Sequence, residues 1–156
     1  MIEDLNSAYD SCVAVGFIQF RKDIDIELAK SLHKSALDSI EILRDIEGML
    51  EKKKFNFSFL YTSRYDILRK LLDALLIFDK VKSSNHQCIN AYICVKHQEW
   101  ELDWNTLETM RLLRNGICYE GKHISLDVWK SQKLKFEIYI KTLLRIIEDK
   151  ISAFRT

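Results

Sequence analysis

No proline interrupts this chain, and only four glycines (Gly16, Gly48, Gly116 and Gly121) offer it conformational freedom. A backbone so poor in turn-forming residues suits long helices and does not suit architectures built on tight β-turns. The apolar residues repeat accordingly. Leu28, Leu32, Ala36, Ile40, Leu43, Ile46 and Leu50 recur at helical spacing, a stripe of roughly seven turns. Asp23, Asp25 and Glu27 precede it and Lys52, Lys53 and Lys54 follow it, each sign at the end where the helix dipole favours it. After an aromatic link at residues 55–59, a second helix reaches about Val81 through Tyr61, Tyr65, Leu68, Leu71, Leu72, Leu75 and Phe78. Being apolar on two sides, it is expected to be the central, most buried helix.

Three more helices follow. Ser84 with Gln87 resembles a capping box and opens a third helix through about Trp100. Asn105 with Glu108 resembles another, and the fourth helix carries Leu107, Met110, Leu113 and Ile117 on one face. Ser125 and Asp127 start the last, with Leu126, Trp129, Phe136, Ile140, Leu143, Ile147 and Ile151. Residues Ile2 to Cys12 suit a short helix, and Val13 to Phe20 coil or a short strand around Gly16. The expected fold is all-α, an up-and-down bundle of about five main helices. It forms one domain over residues 1–156, with 1–24 as an N-terminal lead-in and 25–151 as the bundle.

Charge is abundant but balanced at net +1, which argues against a generic polyanion binder while leaving room for a local basic patch. The apolar run from Leu71 to Phe78 is broken by Asp73 and far too short to cross a bilayer. Glu3 and Asp4 near the start, with no apolar run after a positive segment, do not read as a signal peptide. The four cysteines (Cys12, Cys88, Cys94 and Cys118) show no paired spacing and read as reduced, buried thiols. The expected location is the cytoplasm, with no membrane association.

Chemistry-bearing residues collect at the end of the fourth helix, in the run from Met110 to Ser125. Arg111 and Arg114 lie three apart and are neighbours on one side of that helix. Asn115 follows, then Gly116, whose presence inside a helix costs about 1 kcal/mol against alanine and is most simply explained by close packing. Gly121 reads as a left-handed cap, with Lys122 and His123 just beyond it.

This run, Leu-Arg-Asn-Gly-Ile-Cys-Tyr-Glu-Gly, resembles the motif region of the HEPN superfamily of small helical proteins. The family signature is an arginine, often followed by asparagine, with a histidine four to six residues after the arginine. Arg114 and Asn115 match the first two, and the Tyr-x-Gly at Tyr119 to Gly121 matches a variant of the motif. The resemblance implies a two-fold dimer whose paired motifs face one cleft, and an RNA- or nucleotide-directed function. Active members are metal-independent endoribonucleases, several acting as toxins in toxin–antitoxin or defence systems beside an antitoxin or nucleotidyltransferase partner. In that reading Arg114 holds phosphate, Tyr119 or His123 serves proton transfer, and Arg111, Asn115 and Lys122 bind substrate, with no metal or cofactor. Five residues after Arg114, however, stands Tyr119 rather than histidine, and His123 is nine residues away. Tyrosine titrates near 10 and is a poor general base, but it can stack on a base or donate to phosphate. The alternative is a non-catalytic interaction module or structural bundle.

Blander readings stand beside these. Arg114 also suits an ion pair, to Glu120 or to an acid on a neighbouring helix. Tyr119 suits a core or interface aromatic, and His123 an exposed loop histidine. His86, Cys88, Cys94 and His97 lack the close ligand pairs of a zinc site. Lys130, Lys133, Lys135, Lys141 and Arg145 alternate with acids and read as a solvated face. Trp100, Trp104 and Trp129 read as packing or interface anchors rather than a base-stacking platform.

Overall fold

The computed structural model describes residues 1–54 and 56–154. They form six α-helices: α1 (Leu5–Val15), α2 (Ile26–Lys52), α3 (Phe57–Phe78), α4 (His86–Lys96), α5 (Trp104–Glu120) and α6 (Leu126–Ala153). Two short strands, β1 (Gln19–Phe20) and β2 (Val81–Lys82), pair antiparallel with Gln19 opposite Lys82. The fold is an all-α bundle, in which α2 to α6 are the five helices of the apolar pattern and α1 is a sixth, as short as α4.

Each helix starts where a short polar side chain can close it. Asp4, Asp25, Asn56, Asn85, Asp103 and Ser125 all accept a hydrogen bond from a backbone N–H three residues on. Such caps contribute about 1 kcal/mol apiece. Two differ from the capping boxes read in the sequence. Asn85, not Ser84, caps α4, and Asp103, not Asn105, caps α5. Both helices have more than one polar candidate within three residues, and the backbone geometry chooses among them. The third helix also ends earlier than Trp100: it stops at Lys96, and residues Gln98–Trp100 form a 3₁₀ turn. The segment Val13 to Phe20 divides, Val13–Val15 completing α1 and only Gln19–Phe20 forming strand. Phe55, part of the expected aromatic link, lies outside the described residues.

The core is built on α3. Twelve of its residues are buried, and it packs along α2, α6 and α5. This makes it the central helix that its two apolar sides required. Trp129 and Phe136 of α6 are fully buried, and Phe136 meets Tyr61 edge to face at 5.1 Å. The tryptophans are packing anchors: Trp129 Nε1 donates to Glu51 at 3.0 Å and Trp104 Nε1 to the Glu3 carbonyl at 2.8 Å. Trp100 stacks on His97 with ring centres 3.8 Å apart.

The cysteine reading needs correction. Cys12 of α1 and Cys88 of α4 form a disulfide across 76 residues of sequence, and of the remaining two only Cys94 is buried. The sequence spacing gives no hint of this, because the pairing exists only once α1 lies against α4. The expectation of a cytoplasmic location thereby loses the support it drew from reduced thiols. No helix of the described residues is long and apolar enough to cross a membrane.

Candidate functional site

Arg111, Arg114, Asn115 and Tyr119 of α5 line one cavity of about 300 Å³. Its opposite wall is Ser84, Asn85, His86 and Gln87, the approach to α4 and its first turn. The walls are mostly polar. Helical spacing alone puts the four α5 residues together, but the opposite wall comes from about 25 to 35 residues earlier in the chain.

Arg114 is the centre of this arrangement. Its Nη1 donates to the Tyr119 hydroxyl at 3.2 Å, and its Nη2 lies 3.8 Å from a carboxylate oxygen of Asp66 on α3. The guanidinium carbon stands 5.9 Å from the ring centre of Tyr65 and 5.7 Å from that of Tyr119. The cation is thus held by two aromatic faces, which attract it electrostatically. Burial pulls the Arg114 pKa down, but the Tyr119 hydrogen bond and the neighbouring Cys118, Asp66 and Tyr119 outweigh it, so the pKa is raised. The guanidinium remains a permanent cation. Its Nε is buried and has no hydrogen-bond partner among the described residues. Of the two ion-pair partners the sequence allowed Arg114, the acid on a neighbouring helix is the one present, and it is Asp66.

Arg111 is held differently. Glu108, one turn earlier and 1% exposed, accepts from Arg111 Nε at 2.9 Å and from Nη2 at 2.7 Å. Asn90 of α4 donates to the same carboxylate at 2.9 Å. The bidentate pair fixes the arginine at the cavity wall and offsets much of its charge there. Glu108 was read as half of a capping box, whereas its place is in the core.

Tyr119 is not the core aromatic of the bland reading. It is 75% exposed, against Arg114, with its ring free on one side. Lys122 and His123 lie outside the cavity lining. Lys122 reaches Glu120 at 2.8 Å on the open surface, and His123 is exposed. Gly116 is buried, but the atoms nearest to where its Cβ would stand all belong to the flexible Lys122 side chain, the closest at 2.9 Å. Close packing is present, then, against a side chain rather than against backbone.

The residue that the sequence did not bring to this site is His86. Its Nδ1 lies 3.3 Å from the Tyr65 hydroxyl, and the two rings stack at 17° with centres 6.2 Å apart. Burial and the charges of Arg69, Arg114 and Arg111 lower its pKa to about 4, so the imidazole is neutral at physiological pH. Tyr65 is pushed up to about 12, mainly by burial, and stays protonated. His86 drew notice in the sequence only as a zinc candidate. In the fold Cys88 is taken by the disulfide, Cys94 Sγ contacts the Leu102 carbonyl, and His97 bonds to Asp79 and Glu99. Among the described residues no group of three or more His, Cys, Asp or Glu side chains is placed to hold a metal ion.

Two larger cavities lie elsewhere. One, of about 480 Å³, is lined by Arg44, Glu47, Glu51, Arg64 and Lys133. Its inner charges satisfy one another: Glu47 pairs with Arg64 and Lys133, and Lys133 also with Glu51 at 2.8 Å. Lys133, read as part of a solvated face, is thus paired with two acids at this cavity. The other, of about 510 Å³, lies beside β1 and β2 and is lined by apolar residues such as Phe17, Leu28, Leu32 and Leu76 together with the charged Arg21, Asp73 and Lys82. The first has no aromatic side chain in its lining, and neither holds a histidine or one of the motif residues.

Comparison of the chain with protein-family models and with curated proteins gives no match.

Proposed function

We propose that this protein is an RNA- or nucleotide-binding bundle of HEPN type, and that the Arg114 cavity is its site. The observation that carries the reading is the placement of Arg114. Its guanidinium is gripped by Tyr65 and Tyr119 at the wall of an open polar cavity that Arg111 and His86 share. A cation at a cavity wall suits a phosphate, and an exposed tyrosine ring beside it suits a base. Asn115, Ser84 and Gln87 add hydrogen-bonding groups around them. Arg114 is the phosphate ligand, Arg111 a supporting charge, and Asn115 a substrate contact. Lys122 and His123, away from the cavity, have no part in this reading. No metal or cofactor is needed for it.

The family likeness adds that two copies face each other across the motif and that the biological setting is a toxin–antitoxin or defence system, with an antitoxin or nucleotidyltransferase as partner. Leu112 and Tyr119 are exposed two turns apart on α5, which supports a self-association face beside the cavity. A second reading, a binding module without catalysis, is favoured by the tyrosine at the motif's histidine position and by the pairing of Arg111 with Glu108.

The test is cleavage of RNA by the purified protein in EDTA, with Arg114→Ala as control, together with nucleotide binding by thermal shift. Losing a charge-assisted phosphate contact is expected to weaken binding about 10- to 100-fold. Binding or cleavage indifferent to Arg114→Ala would refute the site. Binding without cleavage selects the second reading.

A further inference from the structure

His86 is held as an acid–base group would need to be held, and the motif reading makes no use of it. It is the first residue of α4, and its ring lies against Tyr65, one turn of α3 above Tyr61 in the core. Tyr65 is buried and rigid, so it fixes both neighbours: the imidazole by stacking and by the 3.3 Å contact to Nδ1, and the Arg114 guanidinium 5.9 Å from its ring centre. In the tautomer whose Nδ1–H donates to the Tyr65 oxygen, Nε2 carries the lone pair and is the nitrogen left for a ligand in the cavity that His86 and Arg114 line. The charged and titratable groups around the ring are Tyr65 and Arg69 from α3 and Arg111 and Arg114 from α5, with Glu108 paired to Arg111. No carboxylate bonds to the imidazole among the described residues.

We propose that His86, rather than Tyr119 or His123, is the proton-transfer residue of this site, and that its substrate is a phosphodiester with an adjacent hydroxyl, the linkage of RNA. The assignment rests on the RNA-directed reading above. The 2′-oxygen attacks phosphorus, and its proton passes to Nε2 of His86. The bond from phosphorus to the 5′-oxygen of the next nucleotide breaks, and that oxygen takes a proton from water. The hydroxide so formed is neutralised by the proton on His86. The products are a 2′,3′-cyclic phosphate and a 5′-hydroxyl, with no net change in protons. Arg114 sits where it can take the charge on the phosphoryl oxygens. A bound phosphate offsets the arginines that disfavour the imidazolium, so the base strengthens when substrate arrives.

The experiment compares wild type, His86→Gln and Tyr119→Phe for RNA cleavage in EDTA across pH 3.5 to 9, with circular dichroism as the check on folding. The expected result is a fall in kcat of about 100-fold or more in His86→Gln, with KM nearly unchanged. The wild-type kcat/KM should fall as pH drops through about 4, and that limb should vanish in His86→Gln. A structural role would lower activity without removing the limb. Retention of activity within threefold in His86→Gln, or a fall of about 100-fold or more in Tyr119→Phe with His86→Gln still active, would overturn the assignment and leave the RNA-directed site standing. Absence of cleavage by wild type would also overturn it, and Arg114-dependent nucleotide binding would then separate that failure from failure of the site itself. If His86→Gln does not fold, the His86 imidazole is titrated in wild type by NMR with and without a 2′-deoxy dinucleotide. The pKa is expected to rise on binding, and an unchanged value refutes contact with phosphate.

Discussion

Replacing Glu108 tests the part of the site that belongs to the core. Its carboxylate is 1% exposed and takes three charge-assisted or amide contacts: Arg111 Nε and Nη2 at 2.9 and 2.7 Å, and Asn90 Nδ2 at 2.9 Å. In Glu108→Ala the guanidinium, with 16% of its side chain exposed, is left without its counter-ion. Removing one partner of a buried pair costs about 3–5 kcal/mol. The stranded Asn90 amide, 3% exposed, adds a desolvation cost of about 1–3 kcal/mol that overlaps the first and does not simply sum. The expected loss is therefore about 3–5 kcal/mol, a large share of a domain's typical total of about 5–15. The double replacement Glu108→Leu with Arg111→Met removes both charges and is expected to recover most of that loss, because the pair's own attraction is largely cancelled by its desolvation. Urea unfolding followed by circular dichroism measures both. A loss below about 1 kcal/mol in the single variant would refute the reasoning, as would a double variant no more stable than the single one.

Two further outcomes concern the surroundings of the site. Replacing Cys12 and Cys88 by serine opens a link spanning 76 residues, for which the loop-entropy model gives about 4.5 kcal/mol and experience with natural disulfides about 2–5. The same bond predicts that thiol alkylation of the unreduced, denatured protein labels two cysteines; labelling of all four would contradict it. Gly116→Ala should be neutral or stabilising by up to about 1 kcal/mol, because Gly116 is helical and only the mobile Lys122 chain must move. A drop in melting temperature of several degrees would show that the glycine is needed for space.

The helices were legible because their signal is local. Stripes such as Leu28 to Leu50 repeat within a few turns, and α3, apolar on two sides, had no place but the centre. Helix starts were less legible where two capping side chains compete, as Ser84 with Asn85 and Asp103 with Asn105 do. The α5 half of the candidate site was equally local: Arg111, Arg114, Asn115 and Tyr119 fall on the cavity by helical spacing alone. What the sequence hid depends on helices meeting. His86 and Tyr65 are 21 residues apart, Cys12 and Cys88 are 76 apart, and Arg114 finds Asp66 on another helix. No periodicity joins such residues. Lys122 and His123 are the reverse case: they adjoin the motif in sequence, just past the left-handed cap Gly121, but are not among the residues lining the cavity.

These long-range contacts converge on the first turn of α4, and this gives the small N-terminal helix a part in the site. Cys88 is two residues from His86, and its disulfide ties that turn to α1. Gln87 in the same turn donates to Glu3 at 3.4 Å, just ahead of α1. Across the cavity, Tyr65 holds His86 from α3, while Asn90, one turn further along α4, meets Glu108 of α5. The wall opposite Arg114 is therefore clamped from three helices. A cavity made of long polar side chains loses binding strength when those chains must be ordered at the moment of binding. Clamping the backbone beneath His86 and fixing Arg111 through Glu108 completes much of that ordering on folding. It follows that α1, which lines none of the cavity, supports it all the same.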